Sequence, residues 1–167
     1  YPPLAEIGIH IDYNYSAIDY SPKTAPIEAF TEMNTNVAVL KLFPGIRIEV
    51  IDAIINTPGL RVLILETYGA GNAPTTKQFL NKIKEAGEKG IIVYNVTQCQ
   101  GGAVEMGRYE TSREMINYGV VSGYDTTIEA AVCKLMHLLE KYSDPNEIKK
   151  YLNSPLRGEI TQKRIGF

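Results

Sequence analysis

The stretch LRVLILETYGAGNAP, residues 60–74, decides how this chain reads. An apolar run stops at Glu66, and small or polar residues follow. Downstream, IIVYNVTQCQGG, residues 91–102, is built the same way. Short apolar runs closed by glycine and polar residues are what strands buried on both faces of a parallel sheet look like. Loops at the carboxyl ends of such strands are where α/β proteins place ligands.

Working outward, NVAVLKLF and VVS supply two further runs, so four candidate parallel strands span residues 37–43, 61–65, 91–96 and 120–122. Helical spacing falls between them. Ile48, Ile51, Ile54 and Ile55 share one face, and Pro58-Gly59 ends that helix. Thr75 and Gln78 form a capping box ahead of Phe79, Leu80, Ile83, Ala86 and Gly87. SREMINY reads as a short helix. Thr126 and Glu129 make a second capping box before the stripe Ile128, Ala131, Leu135, Leu138 and Tyr142. Asp144-Pro145 opens a last helix as N-cap and first helical residue. Alternating strands and helices predict an α/β fold, a small mostly parallel sheet flanked by helices, flavodoxin-like or Rossmann-like, with right-handed crossovers. The opening residues read as β. IGIHIDY is expected as one half-buried strand with Ile7, Ile9, Ile11 and Tyr13 on one side and His10 on the other. Pro22 and Pro26 predict an irregular crossing, with a short strand near 27–30, and the polar tail LRGEITQKRIGF is expected to fray.

With 167 residues, 44% hydrophobic and 22% charged, the chain has the makings of one globular domain spanning 1–167. Its net charge of -2 and the lack of a Lys/Arg stripe argue against nucleic acid as a partner. No apolar run approaches the roughly 20 residues a membrane helix needs. The opening YPPLAEIGI lacks the marks of a signal peptide and is expected to lie within a longer protein. Cys99 and Cys133 form no CxxC or Cys/His cluster, so zinc is not expected. They read as two reduced thiols of a cytoplasmic protein.

Three segments could carry chemistry. In GAGNAP, residues 69–74, a Gly-x-Gly after a strand lets backbone approach a ligand, and the next helix offers free N–H groups. Pro74 stands where a dinucleotide fingerprint needs its third glycine, and no Walker loop is present. A tight strand-to-helix turn with no ligand explains the same residues. Thr97, Gln98 and Cys99 set a hydroxyl, an amide and a thiol at the sheet edge, suited to hydrogen-bonding a small polar molecule or to satisfying loop backbone. The loop QGGAVEMGRYETS holds Glu105, Arg108, Tyr109 and Glu110, and a solvated carboxylate is the plainer reading of either acid. His137, between Met136 and Leu138, reads as a packed or half-exposed helix residue, and no Ser/His/Asp set is apparent.

YPPLAEIGIHI, ETYGAGNAP, GIIVYNVTQCQGGAVEMGRYETS, VVSGYDTTIEAAVCKL and LRGEIT together resemble the smaller, carboxyl-terminal domain of cytoplasmic (type I) bacterial L-asparaginases. The resemblance implies hydrolysis of L-asparagine to L-aspartate and ammonia, with no metal or organic cofactor, through an activated threonine and a β-aspartyl ester. In that family the nucleophile belongs to an amino-terminal catalytic domain with TGGT-type and TDT-type motifs, and neither motif is in this sequence. No catalytic residue is therefore expected here. The resemblance implies a homo-oligomer whose active site forms between the amino-terminal domain of one subunit and this domain of its neighbour. Tyr68, Gly69, Gly71 and Asn72 would approach the substrate. It also implies an effector site at Asn72, Thr97 and Cys99. Glu66 departs from the pattern, because regulated members carry an arginine there. A partly buried carboxylate would repel an effector carboxylate by at least about 1–2 kcal/mol. Asparagine regulation is then expected to be lost, rearranged or turned to another ligand.

Two other readings stand beside this one. A regulatory module could bind a small amino acid around Gly71, Asn72, Thr97 and Cys99. A free-standing flavodoxin-like nucleotide binder would have to manage without a completed phosphate loop.

Overall fold

Strands that are apolar throughout need cover on both faces, and this chain supplies it with helices. The computed structural model describes residues 3–18, 26, 29–107 and 110–161. The chain divides into two units, Tyr1–Phe30 and Thr31–Phe167. The expected strand at 27–30, the loop residues Arg108 and Tyr109 and the end of the tail lie wholly or partly outside the described residues.

In the first unit, IGIHIDY is not one strand. β1 (Ala5–Ile7) and β2 (Ile11–Tyr13) pair antiparallel, with Ile7 opposite Ile11, so Gly8, Ile9 and His10 form the turn. Ile7 is 82% exposed and Ile9 99%, which overturns the half-buried apolar face. The run reverses where Gly8 N donates to the His10 carbonyl at 2.9 Å, which turns the chain back on itself. His10 is exposed, as its place in the pattern implied.

The second unit holds a four-stranded parallel sheet among the described residues: β3 (Val37–Lys41), β4 (Val62–Thr67), β5 (Ile92–Thr97) and β6 (Val121–Ser122), in that spatial order. The strand order never reverses. Helices α1 (Ile48–Ile55), α2 (Lys77–Glu88) and α3 (Glu110–Asn117) make the three crossovers. All three pack on one face, through Ile51, Ile55, Phe79, Ile83 and Met115 against Leu63, Leu65 and Val93, so the crossovers share one hand. The opposite face, Val62, Ile64, Ile92, Tyr94 and Val96, is covered by α4 (Ile128–Lys141) and α5 (Pro145–Leu152). Period-two alternation thus sends β4 and β5 side chains into two cores, and each such buried side chain is worth about 1.5–3 kcal/mol. The fold class is the expected one.

Neither capping box forms, because each N-cap lies one residue later and places Phe79 or Ala130 where the box needs Glu or Gln. Thr76, not Thr75, caps α2 by accepting from Phe79 N at 3.3 Å, and Thr127, not Thr126, caps α4 by accepting from Ala130 N at 3.3 Å. Each site is a threonine doublet in which the second hydroxyl reaches the free N–H. Thr126 is buried instead. Asp144 caps α5 with Pro145 at its start. No helix of the described residues is long and apolar enough to cross a membrane.

Candidate functional site

β4 and β5 end level, with Glu66 beside Val96 and Thr67 beside Thr97. Tyr68 and Gln98 therefore leave the sheet side by side. Beneath them is a buried polar pair that the sequence pattern did not single out. Thr67 and Asn95 are both fully buried. Thr67 Oγ1 donates to Asn95 Oδ1 at 2.6 Å, with Val96 O at 3.0 Å as a second acceptor. Asn95 Nδ2 points to Gly71 O at 3.5 Å and Met106 Sδ at 3.3 Å. A buried amide is costly unless partnered, so this pair ties the strand ends to the loop above.

That loop closes on itself. Tyr68 N donates to Asn72 O and Asn72 N to Tyr68 O, both at 2.8 Å. The tight path needs positive φ at Gly69 (48°) and Gly71 (101°). Gly71 is also crowded, because a Cβ there would lie 2.8 Å from Val104 Cγ1. The Tyr68 ring packs against the α1–α3 core, and burial raises its hydroxyl pKa above the usual range.

Thr97 and Gln98 are holding groups in this arrangement. Thr97 Oγ1 donates to Gly69 O and accepts from Cys99 N at 3.0 Å. Gln98 Nε2 donates to Leu42 O at 2.6 Å and Glu66 O at 2.8 Å, clamping the ends of β3 and β4. Cys99 and Cys133 are both free thiols and both exposed. The Asn72 side chain is half-buried and makes no hydrogen bond among the described residues. Its amide and the Cys99 thiol have no hydrogen-bond partner among the described residues.

Glu66 is not a lone charge. Lys41, its register partner on β3, places Nζ 3.6 Å from Glu66 Oε1. The lysine is mostly exposed, so the pair adds little stability, but it supplies a nearby positive charge to the carboxylate.

The far loop completes the rim. Glu105 N donates to Ala70 O at 2.9 Å and Val104 N to Tyr124 O at 2.8 Å. Val104 is buried, whereas Glu105 is exposed. Sequence reasoning chose this loop for its acids, yet its backbone does the holding. A separate cleft of about 400 Å³ opens at the other end of the sheet, where α2 and α3 finish. Lys84, Glu88, Tyr118, Gly119 and Lys149 are among its walls. Two helix carboxyl ends converge there, and none of the site residues expected from sequence lines it.

These features define a parallel α/β domain whose candidate site is a glycine loop braced at the carboxyl edge of the sheet. The chain belongs to the glutaminase/asparaginase C-terminal domain family, whose model matches residues 36–152. L-asparaginase 1 of Escherichia coli (strain K12) is 38% identical over 161 residues, covering 96% of this chain and 47% of that protein. The 60 kDa lysophospholipase of Homo sapiens is 34% identical over 164 residues, covering 98% of this chain and 28% of that protein. The crystal structure of L-asparaginase I from Vibrio cholerae superposes with a TM-score of 0.86 at 39% identity, over 96% of this chain and 48% of that one. The chain spans about half the length, or less, of these relatives.

Proposed function

We propose that residues 1–167 are the C-terminal domain of a cytoplasmic L-asparaginase, which hydrolyses L-asparagine to L-aspartate and ammonia. The observation that carries this reading is the likeness to L-asparaginases over 96% of this chain and about half of each relative. The nucleophile and its activating groups then belong to an N-terminal catalytic domain outside these residues. The Tyr68–Asn72 loop forms one wall of the active or effector site at a contact between subunits of a homo-oligomer. Two features support that role. The loop is held rigidly on its inner side, by Thr97 and by the Glu105 amide. The Asn72 amide and the Cys99 thiol are left free to meet a ligand. A rigid wall suits a site in which a ligand must be held at fixed distance from groups on another domain.

Ammonia release from L-asparagine and L-glutamine tests the division of labour. The purified 167-residue chain is expected to release none, and the full-length protein that carries it to release ammonia from asparagine. Turnover by the chain alone would overturn the reading, as would inactivity of the full-length protein on both amides.

A further inference from the structure

Lys134 breaks the apolar face of α4, standing between Ala131 and Leu135 yet only 6% exposed. Its ammonium is fully engaged, with Glu159 Oε1 at 2.7 Å, Ser154 O at 2.7 Å and Leu152 O at 3.1 Å. Glu159 in turn accepts from Leu156 N at 3.0 Å and Arg157 N at 2.7 Å. Burial pulls the Lys134 pKa below its usual range even beside this carboxylate. Burial also works to raise the Glu159 pKa, but Lys134 and the two amides outweigh it and hold the group at about 2. The pair is therefore secured from the carboxylate side, where several donors converge.

The segment that this clamp fixes, residues 153–161, runs on to the buried Ile160 and to Thr161, whose N–H donates to Asp125 Oδ1 at 2.8 Å. Asp125 lies in the turn between β6 and α4. That turn is strained and crowded: Tyr124 has φ of 50°, and a Cβ on Gly123 would lie 2.8 Å from Asn95 O. Its next contact is the far loop, through Val104 N to Tyr124 O at 2.8 Å and Ser122 Oγ to Val104 O at 3.3 Å. Val104 fills the space beside Gly71, and Glu105 N holds Ala70 O.

We propose that residues 153–161 act as a positioning strap, with Asp125 and Thr161 setting the geometry of the Tyr68–Asn72 loop through the 123–127 turn and Val104-Glu105. Asp125 and Thr161 are positioning residues: neither touches the candidate loop. Every step of the relay is a hydrogen bond or a packed contact. The strap's meaning for a binding site rests on the function proposed above, whereas its effect on loop geometry does not.

Amide hydrogen exchange on the 167-residue chain separates the two. Thr161→Pro removes the donated N–H and leaves every loop residue intact. Exchange at the Gly71, Asn72, Val104 and Glu105 amides is expected to rise about tenfold or more, with Leu63 and Val93 in the sheet unchanged. Asp125→Ala is expected to do the same, while Asp125→Asn keeps the accepting oxygen and stays near the parent chain. A rise confined to residues 153–161 would overturn the proposal. So would a uniform rise across the sheet, or Asp125→Asn behaving like Asp125→Ala. Failure of the asparaginase reading would leave these exchange patterns in place.

Discussion

The two ends of the parallel sheet differ in a way that corrects a common expectation. The amino end carries the open cleft, walled by Lys84, Tyr118 and Lys149. The carboxyl end holds the buried Thr67–Asn95 pair, the closed Tyr68–Asn72 loop and the Gln98 clamp. The carboxyl end uses most of its polar groups on its own backbone, which is the arrangement the proposed wall would need.

The contrast can be broken at the carboxyl end. Gly71→Val combines a disfavoured left-handed φ with overlap against Val104, and is expected to cost roughly 2–4 kcal/mol in urea unfolding. Asn95→Ala should cost about 1–3 kcal/mol, because the buried Thr67 hydroxyl loses its nearest partner and Gly71 O loses a neighbour. Gln98→Ala, at a partly exposed clamp, should cost about 0.5–1.5 kcal/mol. At the amino end, Lys149→Ala should change stability by less than about 0.5 kcal/mol, since no hydrogen bond or ion pair of Lys149 is present among the described residues. Equal costs at the two ends would erase the comparison.

Acid sharpens it further. Glu159 has a folded-state pKa of about 2, below the 4.5 of a free glutamate. A depressed carboxylate contributes stability that is fully present above the unfolded value and is lost as pH falls through the folded one. The strap's contribution should therefore fade between the mid-fours and about 2. Urea midpoints measured across that window should fall less steeply in Glu159→Gln than in the parent chain, because the variant has already lost the titrating group.

Much of this architecture was legible in the sequence. The four strands and the helices between them came from apolar runs and 3.6-residue spacing, both of which reflect burial directly. The hairpin at Ile7–Ile11 was hidden because alternation of isoleucines survives a three-residue turn unchanged. The caps slipped by one because Thr75-Thr76 and Thr126-Thr127 each offer two hydroxyls, and only geometry picks between them. The Thr67–Asn95 brace had a signal that went unread: Asn95 interrupts the apolar run IIVYNV, and a polar side chain in a strand buried on both faces must find a partner. Lys134 on the apolar stripe of α4 was the matching signal for the strap. Thr97 was legible as a polar group at the strand end, but its commitment to Gly69 O depends on strand register that no single sequence displays.

The proposed ligand-facing wall has the Asn72 amide as one of its uncommitted groups. Asn72→Ala in the full-length protein that carries this chain tests it most directly, with kcat/KM for L-asparagine and the melting temperature read together. The Asn72 backbone makes both bonds of the loop closure, so the side chain can be removed without opening it. The account predicts a fall in kcat/KM of about tenfold or more with the melting temperature nearly unchanged, as expected for loss of a hydrogen bond to substrate. An unchanged kcat/KM together with an unchanged dependence of rate on asparagine concentration would contradict it.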